Sequence, residues 1–198
     1  MLFCGSLCRV KNAVILHGKP SRERYLDPVL PKPHEAHWFP WIGARLLDAG
    51  MPASIPPLPE PYFPVYEDWK ETFEAEEVNE DTGVVAYSAG AEFILRWLST
   101  NKDTRLGRVV LVAPYCDYAG KYGDFSKYTL DEGLAERVGK LTVINSLDDS
   151  ETIQRRTHEI IEALPNARLV EVDGYGHFQI GNNMTGPEFP VLFDELIR

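Results

Sequence analysis

Short apolar runs alternate with amphipathic stretches along this chain, and the two patterns have different periods. Segments 11–16, 82–87, 108–113, 141–145 and 167–172 are brief and rich in Val, Ile and Leu. Runs of that length and composition read as strands, several of them buried on both faces. Between them apolar residues recur every three or four positions, the mark of helices with one buried stripe. Ile42, Leu46 and Ala49 share such a face over 40–49, with Gly50 as a natural stop. Val65, Trp69 and Phe73 mark a helix over 65–77, and Ala91, Ile94, Leu95 and Leu98 one over 89–100. Helices are also predicted over 129–138, 151–164 and 187–197, and a short strand at 53–55 leads into a proline-rich loop over 56–64. Segments 19–40 and 114–128 read as irregular, the first dense in Pro, His and charge, the second in Tyr, Gly and Asp.

Strands alternating with helices predict an α/β fold. The expectation is a three-layer sandwich: a mostly parallel sheet of about six strands with helices on both faces. Residues 1–198 form a single expected domain, with 1–10 as a loose N-terminal extension. At 198 residues and 44% hydrophobic content the chain can bury a real core.

Charge narrows the function classes. A net charge of −10 disfavours nucleic acid and anionic membrane surfaces as partners. No apolar stretch approaches the roughly 20 residues of a transmembrane helix. The N-terminal apolar segment has no basic lead and is too short for a signal peptide. Three cysteines, Cys4, Cys8 and Cys116, make no disulfide framework, so free thiols and a cytoplasmic location are expected. Cys4 and Cys8 lack a second ligand pair for a metal.

The chemistry concentrates where strands end. The stretch Ala86-Tyr87-Ser88-Ala89-Gly90 joins an apolar strand directly to a helix. Small residues on either side of a serine at such a junction form a nucleophile elbow, with the hydroxyl exposed at its apex. Ala86 stands where the usual G-x-S-x-G pattern has glycine. In a parallel sheet, ligands bind beyond the carboxyl ends of the strands. Ser146-Leu147-Asp148-Asp149 follows one strand and Asp173-Gly174-Tyr175-Gly176-His177-Phe178 the last. A serine, an acid and a histidine therefore share one sheet edge in the order that serine hydrolases of this topology use.

Ala86-Tyr87-Ser88-Ala89-Gly90-Ala91, Ser146-Leu147-Asp148-Asp149 and Gly176-His177-Phe178-Gln179 resemble the small α/β-hydrolases typified by retinoblastoma-binding protein 9 and the bacterial YdeN-type proteins. The resemblance spans about residues 11–197, and Trp38-Phe39-Pro40-Trp41, Trp69 and Phe73 also fit it. It implies a hydrolase fold without a large lid and a Ser-His-Asp triad: Ser88 as nucleophile, His177 as base, Asp148 as acid. Asn145 stands where the family has glycine ahead of that acid, which keeps Asp149 open as the alternative. Tyr87 replaces a common histidine, and the glycine-rich stretch after the first strand is reduced to His17-Gly18-Lys19-Pro20.

The expected activity is hydrolysis of a small ester, thioester or amide through an acyl-enzyme, with no metal and no organic cofactor. Two backbone N–H donors must hold the oxyanion. Ala89 supplies one; Pro20 has no N–H, so Gly18 or Lys19 supplies the other, and the family analogy favours Lys19. His17, Tyr87, Tyr115 and Phe178 are candidates for the substrate pocket. His34-Glu35-Ala36-His37 is one residue short of the His-Glu-x-x-His zinc spacing and reads as a border of the site mouth. The competing class is a non-catalytic protein-binding scaffold on the same fold. The Leu-x-Cys-x-Glu motif that would support it is absent, since Leu2-Phe3-Cys4-Gly5-Ser6 lacks the final acid.

Overall fold

The computed structural model describes residues 10–198, so Cys4, Cys8 and the 1–9 part of the expected extension lie outside the described residues. Six strands occur in chain order: β1 (Asn12–Leu16), β2 (Ala53–Ser54), β3 (Thr82–Tyr87), β4 (Arg108–Val112), β5 (Leu141–Ser146) and β6 (Arg168–Val172). They form one sheet in the order β2-β1-β3-β4-β5-β6, every neighbouring pair parallel. β3 and β4 lie at its centre and are buried along their whole length, which explains their unbroken apolar character. β6 is an edge strand, and its charged Arg168 and Glu171 face solvent.

The described residues also form six α-helices: α1 (Arg22–Leu26), α2 (Phe39–Asp48), α3 (Tyr66–Glu74), α4 (Ala89–Thr100), α5 (Glu151–Ala163) and α6 (Pro190–Ile197). One face carries α3 and α4, where Trp69, Phe73, Phe93 and Trp97 interlock edge to face. The other carries α2 and α6, with Phe39, Ile42, Leu46, Leu192 and Leu196 in its core. Each face therefore buries a continuous apolar layer, the main stabilising contribution in such a fold. No helix of the described residues is long and apolar enough to cross a membrane.

The elements depart from expectation at their ends. The helix expected over 129–138 is only a 3-10 turn at Leu134–Arg137. Gly133 precedes it, and the Arg137 guanidinium turns away to hold Leu98 O and the Asp131 carboxylate. Within the irregular segment 19–40, α1 starts at a Ser21 cap and a 3-10 turn spans Pro33–Glu35. α6 begins at Pro190, whose fixed φ suits a first helical turn, rather than at 187.

This topology gathers five strand ends on one edge. The chain leaves β1 into 17–20, β3 into Ser88, β4 into 113–118, β5 into 147–150 and β6 into 173–179.

Candidate active site

Ser88 occupies the single residue between β3 and α4, with φ 53° and ψ −115°. A non-glycine residue held there stores about 1–3 kcal/mol of backbone strain, so the surroundings must enforce it. They do so by hydrogen bonds: Ser88 N donates to Val112 O (2.9 Å), and Tyr115 N donates to Ser88 O (3.2 Å). The flanking residues are small for a measurable reason. A Cβ on Gly90 would lie 2.7 Å from His17 O and 2.9 Å from Leu16 O. A Cβ on Gly18 would lie 2.8 Å from Ser88 Cβ, so the loop after β1 runs directly against the serine. Ala86 is fully buried in β3 and is accommodated there.

His177 projects from the loop after β6, which is fastened at several points. Tyr87 Oη donates to His177 O (2.7 Å), Gln179 Nε2 donates to Tyr87 Oη (3.1 Å), and Trp38 Nε1 donates to Phe178 O (3.1 Å). The imidazole bridges two strand ends. Ser88 Oγ lies 3.1 Å from His177 Nε2, and His177 Nδ1 lies 2.8 Å from Asp149 Oδ2. With Nδ1 protonated toward the carboxylate, Nε2 is the acceptor facing the serine hydroxyl. The Asp149 side chain is only 4% exposed, so this contact is shielded from bulk water.

Asp148, the acid that the resemblance favoured, is not the residue beside the imidazole. β5 continues one residue further than the apolar run suggests, through Ser146, so the third residue past the strand is Asp149. Asp148 points into the neighbouring loop instead. It accepts hydrogen bonds from Ser146 Oγ, Gly176 N and Asn183 Nδ2. These donors, the Ser146 hydroxyl foremost, hold its carboxyl below the usual carboxylate range. Asp148 thus braces the backbone just before His177.

The Ala89 N–H is the first of α4 and has no helical acceptor, and the helix dipole points its positive end at the same spot. Lys19 follows Gly18 on the loop beside Ser88, and its ammonium sits 4.8 Å from the Tyr122 ring. Of the four pocket candidates, Tyr115 lines a groove of about 490 Å³ with His177 and Asp149. His17 is 1% exposed and both ring nitrogens are engaged: Nδ1–H donates to Gly18 O (2.9 Å) and Nε2 accepts from Leu58 N (3.1 Å). Burial lowers its pKa to about 4. Tyr87 is also buried, with burial pushing its phenol far up, and it works as a strut under His177. His17 and Tyr87 border a second, smaller cavity. Phe178 is a correction: it is fully buried and stacks on Phe189 at 5.2 Å, so it belongs to the core and not to a pocket wall.

His37 accepts from Ile180 N (3.1 Å) and the His34 ring lies tilted beside His17 (6.3 Å), so their segment packs against the loops that follow β6 and β1. Among the described residues no three His, Cys, Asp or Glu side chains gather to hold a metal ion. Arg24, which also faces the smaller cavity, had no signal in the sequence: it lies in a segment with neither period nor motif.

Similarity to known proteins extends over most of the chain. The sequence model of the serine hydrolase family matches residues 27–189. The YdeN protein of Bacillus subtilis (strain 168) is 30% identical over 167 residues, covering 81% of this chain and 86% of that protein. The crystal structure of the ydeN gene product from B. subtilis superimposes with a TM-score of 0.76 at 28% identity, over 93% of this chain and 96% of that one. Est1E from Butyrivibrio proteoclasticus (TM-score 0.61, 9% identity, 95% and 86% coverage) shares the fold. So does the methylesterase MES16 from Arabidopsis (0.59, 13%, 96% and 98%).

Proposed function

This chain belongs to the serine hydrolase family, and on that premise we propose that it cleaves a small carboxylic ester, thioester or amide through an acyl-enzyme on Ser88. The observation that carries the proposal is the continuous relay from Ser88 Oγ through the His177 ring to the buried Asp149 carboxylate. Each member comes from a different strand end, so no local structural need explains their convergence.

In the proposed reaction His177 Nε2 takes the Ser88 proton as Oγ attacks the substrate carbonyl carbon. Asp149 holds the tautomer and stabilises the imidazolium. The oxyanion is held by the Ala89 N–H, strengthened by the α4 dipole, and by the Lys19 N–H on the loop that touches Ser88. Each such donor contributes about 3 kcal/mol to transition-state stabilisation. The imidazolium then protonates the leaving oxygen, sulfur or nitrogen as its bond to carbon breaks. Water, deprotonated by the same Nε2, attacks the acyl-enzyme; as the Ser88–acyl bond breaks, the imidazolium returns that proton to Ser88 Oγ and the free acid departs. The substrate is a small molecule, and the chemistry is complete with these side chains.

Hydrolysis of 4-nitrophenyl acetate tests the reading. The wild-type chain is expected to release nitrophenolate with a Ser88-dependent rate, and folded Ser88→Ala to fall to the buffer background. Undiminished turnover by Ser88→Ala would refute it.

A further inference from the structure

The smaller cavity beside Ser88 has a chemical character opposite to that of the rest of the molecule. The chain carries 30 acidic against 20 basic residues. Yet no carboxylate lines this cavity, and Lys19, Arg24, His37 and Gln179 do. Its lining includes Gly18 and Tyr87, the first packed against Ser88 and the second preceding it in the chain.

Some of its polar groups are already committed. Both His17 nitrogens have backbone partners, and Tyr87 Oη both donates and accepts. Two others are not. His37 uses Nδ1 to accept from Ile180 N, which leaves its proton on Nε2 as a donor. Burial and the nearby Arg24 charge lower its pKa to about 4, so it stays a neutral donor at neutral pH. Arg24 is half-buried, and none of the ion pairs among the described residues includes it. A guanidinium fork without a carboxylate, next to a neutral N–H donor, is a recognition site for a planar anion.

Size and position limit what that anion is attached to. The cavity measures about 40 Å³. At roughly 10–15 Å³ per water it takes about three waters, or a group of about four non-hydrogen atoms such as CH₂–COO⁻. The leaving group needs a proton from His177 and so departs into the open groove that His177 and Tyr115 line. The cavity that Gly18 and Lys19 line is left for the acyl half.

We propose that this cavity is an acyl subsite for a short carboxylate-bearing acyl group, so that the preferred substrates are half-esters of small dicarboxylic acids, with Arg24 and His37 binding the free carboxylate. This rests on the reading of Ser88 as the nucleophile. Hydrolysis of such a half-ester by water yields the dicarboxylate and an alcohol through the steps given above, with no further reactant.

Monoethyl malonate and ethyl isovalerate provide the test, because the isopropyl group of the second has nearly the shape of the carboxylate of the first. In a pH-stat assay the malonate half-ester is expected to be favoured at least tenfold in kcat/KM. Arg24→Gln should bring the ratio close to one, chiefly through KM, and Arg24→Lys should restore part of it. Independently of any variant, free malonate should inhibit 4-nitrophenyl acetate hydrolysis competitively, and isovalerate should not. Equal or better turnover of ethyl isovalerate, or a ratio that Arg24→Gln leaves unchanged, overturns the subsite. Labelling of Ser88 by a fluorophosphonate in the same preparation separates the two levels. A labelled protein without half-ester preference refutes the subsite alone; an unlabelled one refutes the nucleophile as well.

Discussion

The carboxylate of Asp149 lies 2.8 Å from Nδ1 of His177, while that of its neighbour Asp148 holds Gly176 N one residue before the same histidine. One acid touches the ring and the other braces the backbone that presents it. Asp149→Asn is therefore expected to reduce kcat/KM by up to about 10⁴-fold, since an amide in that position favours the wrong imidazole tautomer. Asp148→Asn leaves the relay intact and disturbs only its placement, for a loss of no more than about 10²-fold. Steady-state kinetics of both variants on one ester decide this; the reverse ranking would return the role to Asp148.

Much of this site was legible in the sequence, because the strands that carry it are short apolar runs and the candidate residues lie just past their ends, Ser88 directly after β3 and His177 in the loop after β6. Ser88 and His177 could be placed by that rule alone. The choice between adjacent acids could not. It depended on where β5 stops, and Ser146 looks like a loop residue. Its hydroxyl is satisfied inside the fold by Asp148 and Tyr175 N, so it stays in the strand, fully buried. Phe178 was misread for a related reason: its partner Phe189 is distant in sequence, and no local pattern reveals that contact. The cavity residues Arg24, on the short helix α1, and His37, in a turn, sit in a segment whose position depends on tertiary contacts such as the His37 bond to Ile180 N.

Backbone strain at the nucleophile makes a stability prediction of unusual sign. Ser88 sits at φ 53°, where glycine is unstrained and alanine is not. Ser88→Gly is expected to abolish activity and to raise the unfolding free energy by about 1 kcal/mol in urea titration, whereas Ser88→Ala should change it by less than that. Destabilisation by Ser88→Gly would show that the strain is absent.

A buried ion pair ties the helix after Ser88 to the helix after Asp149. Glu92 on α4 is fully buried, and Arg156 on α5 reaches it at 2.8 Å while also holding Tyr128 Oη. Burial pushes the Glu92 pKa up against the pull of Arg156, so the pair is sensitive to loss of either partner. Arg156→Met is expected to destabilise by about 3–5 kcal/mol, and the double variant with Glu92→Leu to recover most of that. Thermal or urea unfolding measures both; a double variant as unstable as the single would mean that shape rather than charge dominates there.

Acid sensitivity should trace in part to His17. Its folded-state pKa of about 4 lies below the ordinary value of 6.5, so the unfolded chain binds the proton more readily. Its contribution is therefore fully present above about pH 6.5 and is lost progressively as the pH falls toward 4. The difference corresponds to about 3 kcal/mol. Urea unfolding of wild type should weaken over that window, and His17→Gln should flatten the pH dependence, at lower stability near neutrality. An unchanged slope in His17→Gln would assign the acid response elsewhere.

The central claim is that Ser88 is an activated nucleophile, and covalent mapping tests it most directly. After incubation with a fluorophosphonate at neutral pH, peptide mass spectrometry is expected to find one phosphonyl group per chain, on Ser88, formed far more slowly in Asp149→Asn. An unmodified Ser88 in the folded wild-type protein, or a label on a different serine, would contradict the account.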